Sequence, residues 1–247
     1  MKRKARFSHC CCWLFCGLIL TTLLAACAPP ARAGSNADFP FAQPYFETVG
    51  DSESIPYGLV STMTQDARGF LWMGTQAGLI RYDGYRLRKF VHNAQDPGSI
   101  AADYVQAIAS AKDGRVWVGT ANDGISVFDP ATERFEHIRH DPKRPDSLNA
   151  GRINAMALDA AGNLWVGSDQ GLDFLAANSK RFIHYRHDGA DPHSLADNRV
   201  LSLLLDRQQQ LWIGSADGLQ KRSPGAKGFE RADTHPASGS APLTGSS

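Results

Sequence analysis

Cysteines, histidines and a recurring glycine–hydroxyl pair are the residues of this chain whose types and spacing could do chemistry. All five cysteines (Cys10, Cys11, Cys12, Cys16 and Cys27) lie at the N-terminus, so the body of the chain holds no disulfide framework. The pairs His137/His140 and His184/His187 are three residues apart, a spacing that tempts a metal site. On a strand, however, it puts the two rings on opposite faces. Each pair also recurs within an Arg-His-Asp run, where charged residues discourage pairing at a sheet edge. Gly74-Thr75, Gly119-Thr120, Gly167-Ser168 and Gly214-Ser215 could suggest phosphate loops, but the Gly-Lys-Ser/Thr ending and a following helix are missing. They read as turn geometry. Asp188-Gly189-Ala190-Asp191 is too short and irregular for a calcium loop and reads as turn initiation. No Ser/His/Asp or Cys/His set has a diagnostic spacing, so no catalytic residue, metal ligand or cofactor is assigned.

The elements that carry these residues repeat. Trp72, Trp117, Trp165 and Trp212 each sit in the same frame: Leu71-Trp72-Met73-Gly74-Thr75, Val116-Trp117-Val118-Gly119-Thr120, Leu164-Trp165-Val166-Gly167-Ser168 and Leu211-Trp212-Ile213-Gly214-Ser215. A second glycine follows at Gly78, Gly124, Gly171 and Gly218, with one extra residue in the second copy. Upstream, Val60, Val105, Ile153 and Val200 hold one position. Downstream, Phe90, Phe135, Phe182 and Phe229 fall 17 or 18 residues after the Trp. Within a unit, β-branched and aromatic runs separated by Gly or Asp-Gly predict four strands, such as 105–110, 115–120, 124–128 and 134–139. No stretch of these units has a convincing helical period. Four strands and one Trp per unit of about 47 residues predict a β-propeller blade. The recurring Trp, flanked by aliphatics, is then inter-blade packing rather than a sugar platform.

The 247 residues carry a formal charge of +1, yet Lys2, Arg3, Lys4 and Arg6 precede any acid. Without residues 1–26 the body is mildly acidic, and nothing in its charge favours nucleic acid. The basic start and the apolar run from Cys11 to Ala26 form a signal peptide, residues 1–26, with an alternative end at 33 after Ala31-Arg32-Ala33. Leu24-Ala25-Ala26-Cys27 resembles a bacterial lipobox, which implies lipidation of Cys27. Either cleavage sends the body out of the cytoplasm, to a periplasm. Residues 39–232 hold the blades. Residues 233–247, rich in Ser, Gly, Pro and Ala, are a flexible tail.

The Leu-Trp-x-Gly-Thr/Ser-x-x-Gly-Leu frame, with linkers such as Asp191-Pro192-His193-Ser194-Leu195, resembles the two-component regulator propeller repeat. The resemblance implies the periplasmic sensor of a histidine kinase, hybrid kinase or diguanylate cyclase, whose output domain is missing from this chain. The fourth unit departs from the frame: Gln208-Gln209-Gln210 replaces the glycine turn, and Ser223 stands where Asp83 and Asp129 stand earlier. Tyr45-Phe46 falls where the outer strand of a preceding blade would lie, yet the fourth unit owns its own outer strand. The fold expected is therefore all-β, four blades forming an incomplete ring. What varies within the fixed frame is the turn after the Trp strand: Gln76, Asn122 with Asp123, Asp169 with Gln170, and Asp217. These are the ligand-face candidates. The partners expected are a small-molecule or glycan ligand and a membrane-attached signalling partner or C-terminal region, with no nucleic acid. A lipid-anchored interaction scaffold and a secreted lyase or glycosidase are the alternative readings.

Overall fold

The computed structural model describes residues 47–50, 55 and 59–232. The chain divides at Glu47/Thr48, and every described strand belongs to the second unit. The leader, Cys27, Tyr45-Phe46 and the tail lie outside the described residues. Among those residues sixteen strands and no helix form.

Blade 1 comprises β1 (Val60–Gln65), β2 (Leu71–Thr75), β3 (Gly78–Tyr82) and β4 (Leu87–Phe90). Blade 2 comprises β5 (Val105–Ser110), β6 (Val116–Thr120), β7 (Ile125–Asp129) and β8 (Arg134–Ile138). Blade 3 comprises β9 (Ala155–Leu158), β10 (Leu164–Ser168), β11 (Gly171–Leu175) and β12 (Phe182–Tyr185). Blade 4 comprises β13 (Val200–Leu205), β14 (Leu211–Ser215), β15 (Gly218–Arg222) and β16 (Glu230–Arg231). Each blade is an antiparallel meander in chain order, with its first strand packed against the first strand of the next. The strands expected for the second unit agree with β5–β8 to within a residue at each end.

Alternation along these strands gives every sheet two apolar faces, and neither can be left in water. Three cores result, each built by the same rule. The trailing face of one blade meets the leading face of the next. Trp72 and Leu79 pack on Val105, Ile108, Val116, Val118, Phe128 and Phe135 of blade 2. Ala107, Ala109, Ile125 and Val127 pack on Ile153, Met156, Leu164, Val166, Leu175 and Phe182 of blade 3. Trp165 and Leu172 pack on Val200, Leu211, Ile213 and Phe229 of blade 4. Trp72 is fully buried, with its ring centre 5.0 Å from that of Phe128. Trp72, Trp117 and Trp165 therefore pack between blades, while Trp212 of blade 4 is half-buried and joins none of these three cores.

The glycine of each Trp-x-Gly frame sets how closely blades approach. A Cβ on Gly74 would lie 2.6 Å from Val105 Cγ1, one on Gly119 2.6 Å from Ile153 Cγ2, and one on Gly167 2.5 Å from Val200 Cγ1. The invariant aliphatic of each first strand fills the space that the missing Cβ leaves.

A buried aspartate secures the turn before the Trp strand. Trp72 Nε1 donates to Asp66 Oδ2 at 2.9 Å, while Asp66 Oδ1 accepts from the N–H groups of Arg68 and Phe70. Trp212 and Asp206 repeat the arrangement, with Gln208 and Gln210 as the donors. The fourth unit thus keeps its turn without glycine. Gln209 takes φ 60° where Gly69, Gly114 and Gly162 have φ 88°, 87° and 85°. A non-glycine residue there stores strain. The Gln209 side chain offsets it by accepting from Ala160 N–H at 2.8 Å. In the second unit Ala111 holds the aspartate's position, so Trp117 has no carboxylate from that turn.

Two substitutions test these contacts by urea denaturation. Gly119→Ala should cost about 1–3 kcal/mol, the usual range for overpacking a tight core; a neutral outcome would remove the glycine rule. Asp66→Ala should cost about 2–4 kcal/mol, since it strands one indole and two amide donors, and Asp66→Asn should recover part of this.

Candidate functional site

Because each first strand starts at the end of the blade where the linker enters, the turns between second and third strands lie at that same end. Gly78 N–H donates to Asp103 O, Gly124 N–H to Gly151 O, and Ala216 N–H to Arg199 O, joining turn to linker. All four candidate turns are therefore on one face. Their construction is common. The buried hydroxyl of Thr75 donates to Gly78 O at 2.8 Å and accepts from Ala77 N–H. Thr120 and Ser168 do the same in their own turns, and Ser215 donates to Gly218 O. The glycine–hydroxyl pairs close turns, as read from the sequence.

The side chains on this face are placed unequally. Gln76, Asn122, Asp169, Gln170 and Asp217 are exposed and Asp123 is half-buried. Asp123 Oδ2 accepts from Arg139 at 2.9 and 3.1 Å, and Asp217 Oδ2 from Arg231 at 2.6 Å, both toward the outer strands. Asp169 looks the other way. Its Oδ1 accepts from Asn154 Nδ2 at 2.8 Å, with the Arg152 and Arg199 guanidiniums each at 3.9 Å. Gln170 contributes its carbonyl, which accepts from Asn149 Nδ2 at 2.8 Å. The six candidates thus share a face without converging, and only Asp169 joins a cluster drawn from several elements.

That cluster opens onto a feature the turns alone do not disclose. A cavity of about 300 Å³ lies among the four first strands, lined by Thr62, Gln106, Ile108, Asn154, Met156 and Leu203 among others. Its polar side chains are those of Thr62, Gln106, Asn154 and Ser202. Gln106, Asn154 and Leu201 occupy one column, the residue after the invariant aliphatic, which in blade 1 is Ser61. In blades 1, 2 and 4 the register slips at this residue, a bulge that re-aims the side chain. Ser61 Oγ donates to Val105 O at 2.5 Å, and Asn154 Nδ2 donates to Val200 O at 3.0 Å, each reaching the next blade. Gln106 Oε1 is buried and has no donor. The sequence signal was available: this column changes in every unit, just as the turns do.

Larger clefts lie at the opposite end. One of about 490 Å³ runs between blades 2 and 3 past Lys112, Arg115, Trp117 and Gln209. Another of about 420 Å³ lies between blades 3 and 4 past Asn163, Trp165 and Arg222. Among the described residues no group of three or more His, Cys, Asp or Glu side chains is placed to hold a metal.

The histidines fasten linkers. His92, His140 and His187 each set Nδ1 against a carbonyl of the following linker: Ile100 O at 2.9 Å, and Leu148 O and Leu195 O at 2.7 Å. His137 and His184 set Nε2 against Pro97 O and Pro145 O. Within each linker the motif serine accepts the N–H of Asn93, Asp141 or Asp188. A side chain on the third strand takes the next amide: Ser126 from Ala101, Asp173 from Asn149, Gln220 from Ala196.

A family model described as the two component regulator propeller matches residues 99–122, 147–170 and 194–217. These three segments are similar to two component regulator propeller repeats. Each matched regulator-propeller segment starts on the linker serine, crosses the axial column and ends on a candidate turn residue: Asn122, Gln170 or Asp217. A search of the curated proteins finds no match. Among solved structures, the extracellular domain of a hybrid two component system from B. thetaiotaomicron superposes with TM-score 0.65 at 22% identity, over 76% of this chain and 26% of that one. The chain thus spans about a quarter of that relative. Virginiamycin B lyase from Staphylococcus aureus superposes with TM-score 0.53 at 11% identity, over 71% of this chain and 56% of its own. At these identities both share the propeller fold.

Asp173 is the one buried carboxylate among these regulator-propeller linker contacts. Its Oδ1 is 2.6 Å from His184 Nδ1, and burial pushes its carboxyl above the ordinary range, against the hydrogen bonds from His184 and Asn149. A carboxyl raised by folding contributes stability below its unfolded value of 3.8, lost as pH rises through the folded value. Asp173→Asn can keep both contacts without the charge. The stability of the native chain relative to Asp173→Asn should therefore fall as pH rises from 3.8 toward neutral. A pH-independent difference in chemical denaturation would contradict this.

Proposed function

We propose that this chain is the ligand-sensing propeller of an exported bacterial signal-transduction receptor of the two-component type. The repeats support it, and so does the likeness of fold to a domain described as extracellular and part of a hybrid two component system. The observation that carries it is the axial cavity. In an otherwise repeated frame, different polar residues (Thr62, Gln106, Asn154 and Ser202) line the space among the first strands, with Asn154 bonded to Asp169 and so beside Arg152 and Arg199. Variation in a fixed scaffold is how one fold is adapted to one ligand. Amide and hydroxyl side chains suit a small polar ligand, such as a sugar, that offers both donors and acceptors.

Ligand bound there touches the first strands of several blades at once, so it favours one relative blade arrangement over another. Transmission to a membrane-attached partner through that shift is part of the proposal. So are export through the leader and attachment through a lipid on Cys27.

Thermal unfolding against a panel of oligosaccharides, sugars and amino acids tests the reading. A binder at about a hundredfold its Kd should raise Tm by about 5–10 °C. Gln106→Leu and Asn154→Ala should each abolish the shift, while Lys180→Ala should preserve it. A shift that survives both axial substitutions would place binding elsewhere.

A further inference from the structure

The rule that joins trailing to leading faces is satisfied three times within the chain and leaves one half-face of each kind unfilled. On blade 1 the open leading face carries Val60, Met63, Leu71 and Leu87, the counterparts of Val105, Ile108, Val116 and Phe135. On blade 4 the open trailing face carries Leu204, Trp212 and Leu219, the counterparts of Ala109, Trp117 and Ile125. Exposure marks both as unpartnered among the described residues. Met63 is 62% exposed where Ile108 is 9%, and Leu204 is 63% exposed where Ala109 is 7%. Blade 4 therefore does not cover blade 1 of its own chain.

The glycine contact identifies what is missing. At Gly74, Gly119 and Gly167 an added Cβ would strike the aliphatic residue of the next blade; at Gly214 it meets only Ser202 of its own blade. The vacant position opposite Gly214 is that of the invariant aliphatic, which on blade 1 is Val60.

We infer that a second copy of this chain covers both faces, blade 4 of each copy packing on blade 1 of the other, to close an eight-bladed ring. Each copy holds both halves of the missing contact. The new interfaces continue the pattern of the three internal ones, with Leu204 and Leu219 against Met63 and Leu87. Head-to-tail contacts form a closed body when the rotations sum to a full turn, and eight blades lie within the range propellers adopt. The inference rests on blade packing alone and is independent of ligand binding.

Light scattering on the full chain after gel filtration should give twice the chain mass. Leu204→Asp and Met63→Asp, both at exposed positions, should each weaken the dimer by about thirtyfold or more. Circular dichroism should be unchanged in both. Mixing the two variants should restore a dimer, because that pair keeps one unmodified contact between the Leu204 face of one copy and the Met63 face of the other. The inference is overturned by a wild-type monomer, by a dimer that persists in both variants, by failure of the mixture to associate, or by open assemblies larger than two.

Discussion

An absent side chain governs this architecture. At Gly74, Gly119 and Gly167 the bare backbone of a second strand receives the aliphatic residue that opens the next blade, within a distance no Cβ could tolerate. Everything else is arranged around that contact. It fixes how far apart the blades stand, and so how the indole of Trp72 or Trp165 lies against the aromatic and aliphatic residues of its neighbour. It also fixes where the residue after the aliphatic points. That residue is bulged out of register in blades 1, 2 and 4, and as Gln106, Asn154 and Leu201 it borders the axial cavity. Blade packing and the candidate binding surface are two consequences of one close approach.

The linkers supply polar precision to an apolar stack. Asn149 shows how tightly the two are joined. Its amide donates to buried Asp173, its side-chain nitrogen to the carbonyl of Gln170, and its oxygen accepts from Arg186 at 2.5 Å. One residue therefore ties a core carboxylate, a face turn and the outer edge of blade 3. The raised carboxyl of Asp173 is the electrostatic cost of that junction. The surface pairs, such as Asp217 with Arg231, sit in water and add little to stability.

Much of the fold was legible because four copies report on one another. Tryptophan spacing, glycine punctuation and the aliphatic twelve residues before each Trp located the blades and their strands. Internal contacts made by only some copies were harder to see. The aspartate six residues before the Trp is present as Asp66, Asp159 and Asp206 but replaced by Ala111, and one exception in four hid its role. The histidines stand at spacings of three within a unit, which suggests a pair. Their meaning lay between units, in the series His92, His140 and His187, each bound to the carbonyl of its following linker. The variation of the turn residues is plain in the sequence, whereas that of the axial column is not. A change from Ser61 to Gln106 to Asn154 within apolar strands reads as tolerance until the bulge shows where the side chains point.

The linker ties also carry a kinetic consequence. Each spans a short stretch of sequence, as with Ser126 to Ala101 and Gln220 to Ala196, so a blade can lock its own entry as soon as its third strand exists. Contacts this local favour fast folding by sequential addition, and each finished blade presents the surface on which the next condenses. The first unit is the exception. Where the other third strands carry Ser126, Asp173 or Gln220, it has Ile80, and where they receive an amide it has Pro56, which has none to give. The two departures suit each other and remove the tie together. Blade 1 therefore has no such lock on its own entry, and its described core contacts are those it makes with blade 2.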